Sequence, residues 1–201
     1  FGSITQKIAF LQDVLRRVES VPGVESATLV DEAPLSGRYG SYPLLVNGGT
    51  DTIQTDGRFI GPNYFRTLGI RFVEGRDTPD WGGKPQRVVI NRRLAEHLWP
   101  GGGATGKVIE SPWWGPMTIS GVVDDTRDND LRAEGRFGDQ RLGFQVYMPG
   151  PMFSMDLIVR TGRHPTTMVD LIRKQVLAAD PSQPIGDVST LEQRLSRSVA
   201  Q

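Results

Sequence analysis

The sequence predicts an α+β fold, and three features carry that prediction. Apolar residues recur at helical steps over 4–18, 165–178 and 190–199. Between them lie short β-prone runs bounded by Gly, Pro and Asn, some at hairpin spacing. Helices and strands alternate irregularly, without the strict strand–helix–strand order of a doubly wound parallel sheet. With 201 residues, the chain can bury a core as one domain or as two small subdomains.

Ile4, Ile8, Leu11, Leu15 and Val18 form one apolar helical stripe, which Pro22 and Gly23 stop. Val24–Val30 reads as a strand, with Val24, Ser26, Thr28 and Val30 on one side and Glu25, Ala27 and Leu29 on the other. A loop rich in Pro, Ser and Gly covers 31–42. Tyr42–Val46 and Thr52–Ile60 then form a hairpin around Asn47-Gly48-Gly49.

The stretch Gly57–Asp77 is the pivot of the chain. Gly61 and Pro62 break the incoming strand, and the Asn63 side chain is expected to cap a short helix over Tyr64–Leu68. Gly69 stands where a left-handed C-terminal residue is needed. Tyr64, Phe65 and Leu68 make an apolar plug, and with Gly69 they form a structural corner between two parts of the protein. A strand over Ile70–Val73 follows.

Thr78–Pro85 is polar and broken, a linker. Arg87–Ile90 is a short strand, and Asn91 caps a helix reaching Leu98 that Pro100 and three glycines end. Val108–Glu110, Met117–Val123 and Phe144–Met148 read as strands, with Trp113 and Trp114 at the tip between the first two. A charged loop covers 124–140. Asp156–Arg160 is a strand. Pro165–Ala178 is a helix with Met168, Ile172 and Val176 on one face. Ile185–Val188 is predicted as a last strand, and Thr190 opens a helix bearing Leu191, Leu195 and Val199. There is no repeat of about 20–50 residues. The linker and the turn at 149–151 bracket a middle segment, so the simplest arrangement inserts one subdomain into another built from both chain ends.

Lys plus Arg and Asp plus Glu both number 23, which leaves no basic excess for neutralising nucleic-acid phosphates. Without cysteine there is no disulfide and no thiolate zinc site. No run of about 20 apolar residues could span a bilayer. The chain opens and closes in helices, as an excised piece would.

Gly101–Lys107, GGGATGK, satisfies two nucleotide-loop patterns. Such loops bind phosphate only when a strand precedes and a helix follows, so that free N–H groups and the helix dipole face the anion. Here the order is reversed, which favours a helix-to-strand connection. Asp124, Asp125, Asp128 and Asp130 lack the spacing and central Gly of a calcium loop and read as a solvated loop. His97 and His164 sit in no nucleophile pattern. No catalytic, cofactor-binding or metal residue is assigned, and no cofactor is expected. Trp81, Trp113 and Trp114 fall in loops, where an aromatic either covers the core or marks a partner surface.

PGVESATL (22–29), GPNYFRTLGIRFVEGRD (61–77), RVVINRRLAEHLWPGGGATGKVI (87–109), ISGVVDDTRDNDL (119–131), VYMPG (146–150), LIVRT (157–161) and ADPSQPIGDVSTLEQRL (179–195) resemble, in that order, the periplasmic core domain of MacB-like ABC transporter permeases. The style is similar to that of duplicated acidobacterial permeases with two such domains per chain. The resemblance implies an extracytoplasmic domain of an integral inner-membrane protein. It implies a porter-like subdomain, 1–77 and 152–201, and an inserted Sabre-like subdomain, 78–151. It also implies a non-catalytic role, coupling transmembrane-helix motion to export, with ATP hydrolysis in a separate domain or subunit. Its partners would be the transmembrane helices of the same chain, a second permease domain or subunit, the ABC ATPase and a periplasmic adaptor. Trp113 and Trp114 are the candidate partner surface, and the two end helices are expected to lie side by side. The alternatives are a substrate- or partner-binding module, which predicts an apolar pocket, and an enzyme, which predicts convergent acid and base groups.

Overall fold

The computed structural model describes residues 3–36, 40–46, 49–78, 81, 86–126 and 143–200, the last three by backbone only. It is a mixed α+β structure dominated by one sheet. The elements in chain order are α1 (Ile4–Glu19), β1 (Val24–Val30), β2 (Gly40–Val46), β3 (Asp51–Ile60), α2 (Tyr64–Leu68), β4 (Phe72–Gly75), β5 (Arg87–Asn91) and α3 (Arg92–Leu98). They continue as β6 (Val108–Ser111), β7 (Gly115–Val123), β8 (Gln145–Pro149), β9 (Asp156–Thr161), α4 (Pro165–Ala179) and α5 (Leu191–Ala200).

Six strands close on themselves. β2, β6, β7, β5, β8 and β3 pair in that order, and β3 pairs back onto β2. The β3–β8 and β5–β7 pairs are parallel and the others antiparallel. Alternate residues of these strands, among them Leu44, Phe59, Val88, Ile90, Ile109, Met117, Ile119, Val146 and Met148, gather into one buried cluster with Leu94 of α3. This is the period of two expected when one face of each strand turns to a common core. The intervening Val89, Val123 and Tyr147 belong to a second cluster with α2. Strands from 40–60 pair with strands from 108–149, so hydrogen bonding runs across both sides of residue 78.

From β3 the sheet continues to β1 and then β9, its edge. Ala27 and Leu29 of β1 are buried against Leu11, Val14, Leu15 and Val18 of α1, while Ile172 and Val176 of α4 pack around the same cluster. The α1 stripe is thus core, as its spacing predicts. The expected neighbour is corrected: α1 packs on α4, not α5. Residues 191–197 of α5 are exposed except for half-buried Arg194.

Three local expectations are also corrected. Asn63 does not cap α2 with its side chain. Its backbone is left-handed, φ 63°, and its Nδ2 instead donates to Glu19 Oε1 at 3.1 Å. Residues 185–188 form no strand; Ile185 and Val188 are 37% and 53% exposed. The strand after α2 begins at Phe72, not Ile70. Asn47, Gly48, Asp128, Asp130 and most of the 78–85 linker lie outside the described residues.

Candidate interaction surface

The predicted tip between β6 and β7 is a hairpin turn. Ser111 pairs with Gly115, whose φ of 74° lets the chain reverse, and the Trp113 N–H donates to Ser111 Oγ at 3.2 Å. The turn sends the two tryptophans to different places. Trp114 is half-buried against the closed-sheet core, 5.1 Å from Tyr42 and 5.5 Å from Phe59 between ring centroids. Trp113 is 58% exposed and stacks edge-on against Tyr42 and Trp114, both at 5.6 Å. Trp81, by contrast, is buried in the α1 cluster. Of the three loop tryptophans, Trp113 presents the most surface.

Tyr42 is the centre of this aromatic group. Its ring lies over Gly57, the residue two strand positions before Phe59. A Cβ at Gly57 would stand 2.0 Å from the ring, and one at Gly40 would stand 2.4 Å from it. The two glycines paired across β2 and β3 therefore make the seat for the ring. Burial pushes the Tyr42 hydroxyl up to about 12, helped by the charges of Asp31 and Glu32. Burial likewise pushes the Asp31 carboxyl up to about 6. Arg58 donates to the Glu32 carbonyl at 2.5 Å on the same side. Tyr42, Phe59 and Asp31 were not singled out in the sequence. The signal was there in the Gly40–Tyr42 and Gly57–Phe59 spacings, once the strands are known to pair.

The corner residues lie elsewhere, on α2. Tyr64 and Phe65 are buried, and their rings meet Tyr147 of β8 at 5.7 and 5.1 Å. Leu68 is half-buried against the same cluster. Gly69 has the left-handed φ of 72° that a helix C-terminus uses, and its N–H donates to the Arg66 carbonyl at 3.2 Å.

The other chemical motifs resolve into internal contacts. GGGATGK joins α3 to β6, and its Ala104 and Thr105 N–H groups donate to the Glu74 carboxylate at 3.4 and 2.8 Å. The Thr105 N–H bond is the main cause holding that carboxyl below its usual range. A side-chain anion thus already occupies amides that a phosphate would need. Asp124 is bound by Arg71 at 2.9 Å and Arg92 at 2.5 Å, and Asp125 by Asn91 Nδ2 at 2.7 Å. His97 lies against Phe144, and His164 Nδ1 bonds the Thr166 hydroxyl at 2.9 Å. Among the described residues, no group of three or more His, Cys, Asp or Glu is placed to hold a metal. No described helix is long and apolar enough to cross a membrane.

A sheet-dominated α+β domain with an exposed aromatic tip fits the class of extracytoplasmic transporter domains. Residues 4–183 match the family model of the MacB-like periplasmic core domain, and the chain belongs to that family. Its place is the outer face of the inner membrane, as part of an ABC transporter permease. Three solved structures share the fold. The periplasmic region of MacB from Actinobacillus actinomycetemcomitans is 17% identical, with a TM-score of 0.56 over 82% of this chain and 72% of that one. The extracellular domain of the noncanonic ABC-type transporter YknZ from Gram-positive bacteria is 16% identical, with a TM-score of 0.53 over 84% and 80%. A domain of a putative permease from Porphyromonas gingivalis is 19% identical, with a TM-score of 0.54 over 90% and 85%. Among curated protein sequences none matches this chain.

Proposed function

We propose that this domain is a non-catalytic coupling element that passes motion of the permease's transmembrane helices to the export of a substrate from the periplasm or membrane. The family match over residues 4–183 is the observation that carries this role. ATP hydrolysis then belongs to a separate ATPase domain or subunit, reached through the membrane part. The partners are the transmembrane helices of the same chain, a second permease domain or subunit, and a periplasmic adaptor. The division into a porter-like part, 1–77 and 152–201, and an inserted Sabre-like part, 78–151, belongs to the same proposal. The Tyr64–Gly69 corner ties them, since its rings pack on Tyr147 from the inserted part.

Two features support mechanical coupling. From Ile8 to Val18 α1 is held by β1 and α4, so a push on it moves the sheet. Lys7 of α1 also donates to the carbonyls of Met152 and Phe153, tying the helix to the loop between β8 and β9.

Spin labels at Arg16→Cys on α1 and Arg197→Cys on α5, both exposed positions, test the coupling in the full-length permease with its ATPase. The expected result is an ATP-dependent change in their separation. A distance that stays constant through the nucleotide cycle rejects the coupling role. The partner-binding alternative is favoured by one observation, the exposed indole of Trp113 on its aromatic base. It predicts an unchanged distance together with capture of a partner that Trp113→Ala abolishes.

A further inference from the structure

β3 and β8 run parallel, and their last pair is Ile60 with Pro149. Beyond it the two chains part. β3 turns through Gly61 and Pro62 into α2, while β8 runs on toward β9. A recess of about 200 Å³, part of it open to solvent, lies at this fork, and Asp77, Thr78 and Trp81 complete its lining. Parallel strands commonly open a ligand crevice at their carboxyl ends, where the connections leave in different directions.

The backbone at the fork offers a ligand few donors. Pro62 and Pro149 have no N–H, and the Gly61 N–H already donates to the Leu29 carbonyl at 2.7 Å. The side chains differ. Trp81 and Thr78 are only 7% and 8% exposed, yet neither the indole Nε1–H nor the Thr78 hydroxyl has a partner among the described residues. Buried polar atoms are normally paired, because leaving them unpaired costs stability. Asp77 Oδ1 accepts the Thr78 N–H at 2.8 Å, which leaves Oδ2 as a further acceptor. Burial raises that carboxyl, with the Thr78 N–H acting against it, so a second donor would relieve it further.

We propose that this recess binds a primary carboxamide. Charge and donor count select it. An anion would be brought against the Asp77 carboxylate. A cation would meet the indole N–H, which only donates. A neutral amide answers both: its carbonyl accepts from Trp81 Nε1–H, its NH₂ donates to Asp77, and the Thr78 hydroxyl can serve either end. Ile60, Pro62 and Pro149 supply apolar wall for the carbon side of the ligand. The recess suits a group the size of a side-chain head, since pockets for drug-sized molecules begin at about 300 Å³. A free small amide and the Asn or Gln side chain of a peptide carry this same chemistry. The inference adds a ligand to the domain and does not depend on the coupling role.

The test uses the full-length permease in lipid nanodiscs, labelled with fluorotryptophan, with the Trp81 fluorine resonance identified by its loss in Trp81→Phe. The probes are acetamide, acetate and acetamidinium, which share a shape and differ in charge. Acetamide should shift the Trp81 signal saturably, and the two ions should each bind at least about 10-fold more weakly, because each leaves a mispaired charge. Thr78→Val should weaken acetamide by about 3–10-fold without lowering the melting temperature, since that hydroxyl bonds no described residue. Asp77→Asn should admit acetate. A blocked Gly-Gln-Gly peptide assigns the source: binding tighter than acetamide points to a peptide side chain, weaker binding to a free amide. A Trp81 signal that acetamide leaves unmoved, or that all three probes move alike, overturns the inference and leaves the recess to water.

Discussion

The Phe65 ring stands edge-on to Tyr147, 5.1 Å between centroids, and joins the short helix after β3 to the strand that pairs with β3. Phe65 also meets Phe72 at 5.0 Å and Tyr64 at 5.4 Å. Removing it empties the centre of a cluster whose members are nearly all below 6% exposure. Phe65→Ala should therefore destabilise the domain by about 3–5 kcal/mol. Denaturant unfolding of the purified protein checks this, and an unchanged midpoint would remove the corner from the folded core.

The seat of Tyr42 predicts a loss from adding a single methyl. Gly57→Ala would place Cβ 2.0 Å from the Tyr42 ring and 2.9 Å from Met148 Cε, with no empty side to relax into. The expected cost is about 1–3 kcal/mol. In the background Tyr42→Ala the clash with the ring is gone, so the same change should cost less than half as much. A double-mutant cycle on thermal unfolding measures the coupling, and additive effects would show that the ring is not seated on Gly57.

Trp113 and Trp114 are neighbours in sequence that should behave differently. Trp113→Ala removes a ring more than half exposed and should change stability by less than about 1 kcal/mol. Trp114→Ala removes contacts to Tyr42, Phe59 and the closed-sheet core and should cost about 2–4 kcal/mol. Acrylamide should quench Trp113 fluorescence in the single-tryptophan background well before that of Trp114. Equal quenching would contradict the placement of the two rings.

Much of the fold was legible because the sequence repeats its signal. The α1 stripe, the β2–β3 hairpin, the Asn91 cap and the left-handed Gly69 each follow from residues close in the chain. The Asn91 side chain does accept from the Leu94 N–H, at 3.3 Å. What sequence could not supply was long-range. Closure of six strands depends on β2 meeting β6 through Leu45 and Glu110, a pairing with no local marker. Asn63 misled for a similar reason: its side chain has a better partner in Glu19, brought near only by the fold. Ile185–Val188 has strand composition but pairs with no strand among the described residues, and composition alone cannot provide one. At the aromatic tip the tryptophans were visible, but which of them is exposed was set by Tyr42 and two glycines a long way back in the chain.

The acid side of the stability profile should carry the mark of Asp31. Burial raises its folded-state pKa to about 6, above the 3.8 of an ordinary aspartate carboxyl. The folded protein therefore holds this proton more tightly than the unfolded chain. Between those two values the native state binds more protons, so stability falls as pH rises from about 4 to about 6 and then levels. Asp77, also raised mainly by burial, acts in the same direction. Asp124 and Glu74 act oppositely. Their folded pKa values are lowered, so what they contribute is present above the ordinary carboxylate range and is lost as pH falls below it. Asp31→Asn isolates the first effect. It removes a charge that is costly to bury and should raise stability at pH 7 by at most about 3 kcal/mol, with little change at pH 4. Urea unfolding of both proteins across pH 4–8 gives the answer. A gain of the same size at both ends of that range would mean that the Asp31 carboxyl titrates like an exposed one.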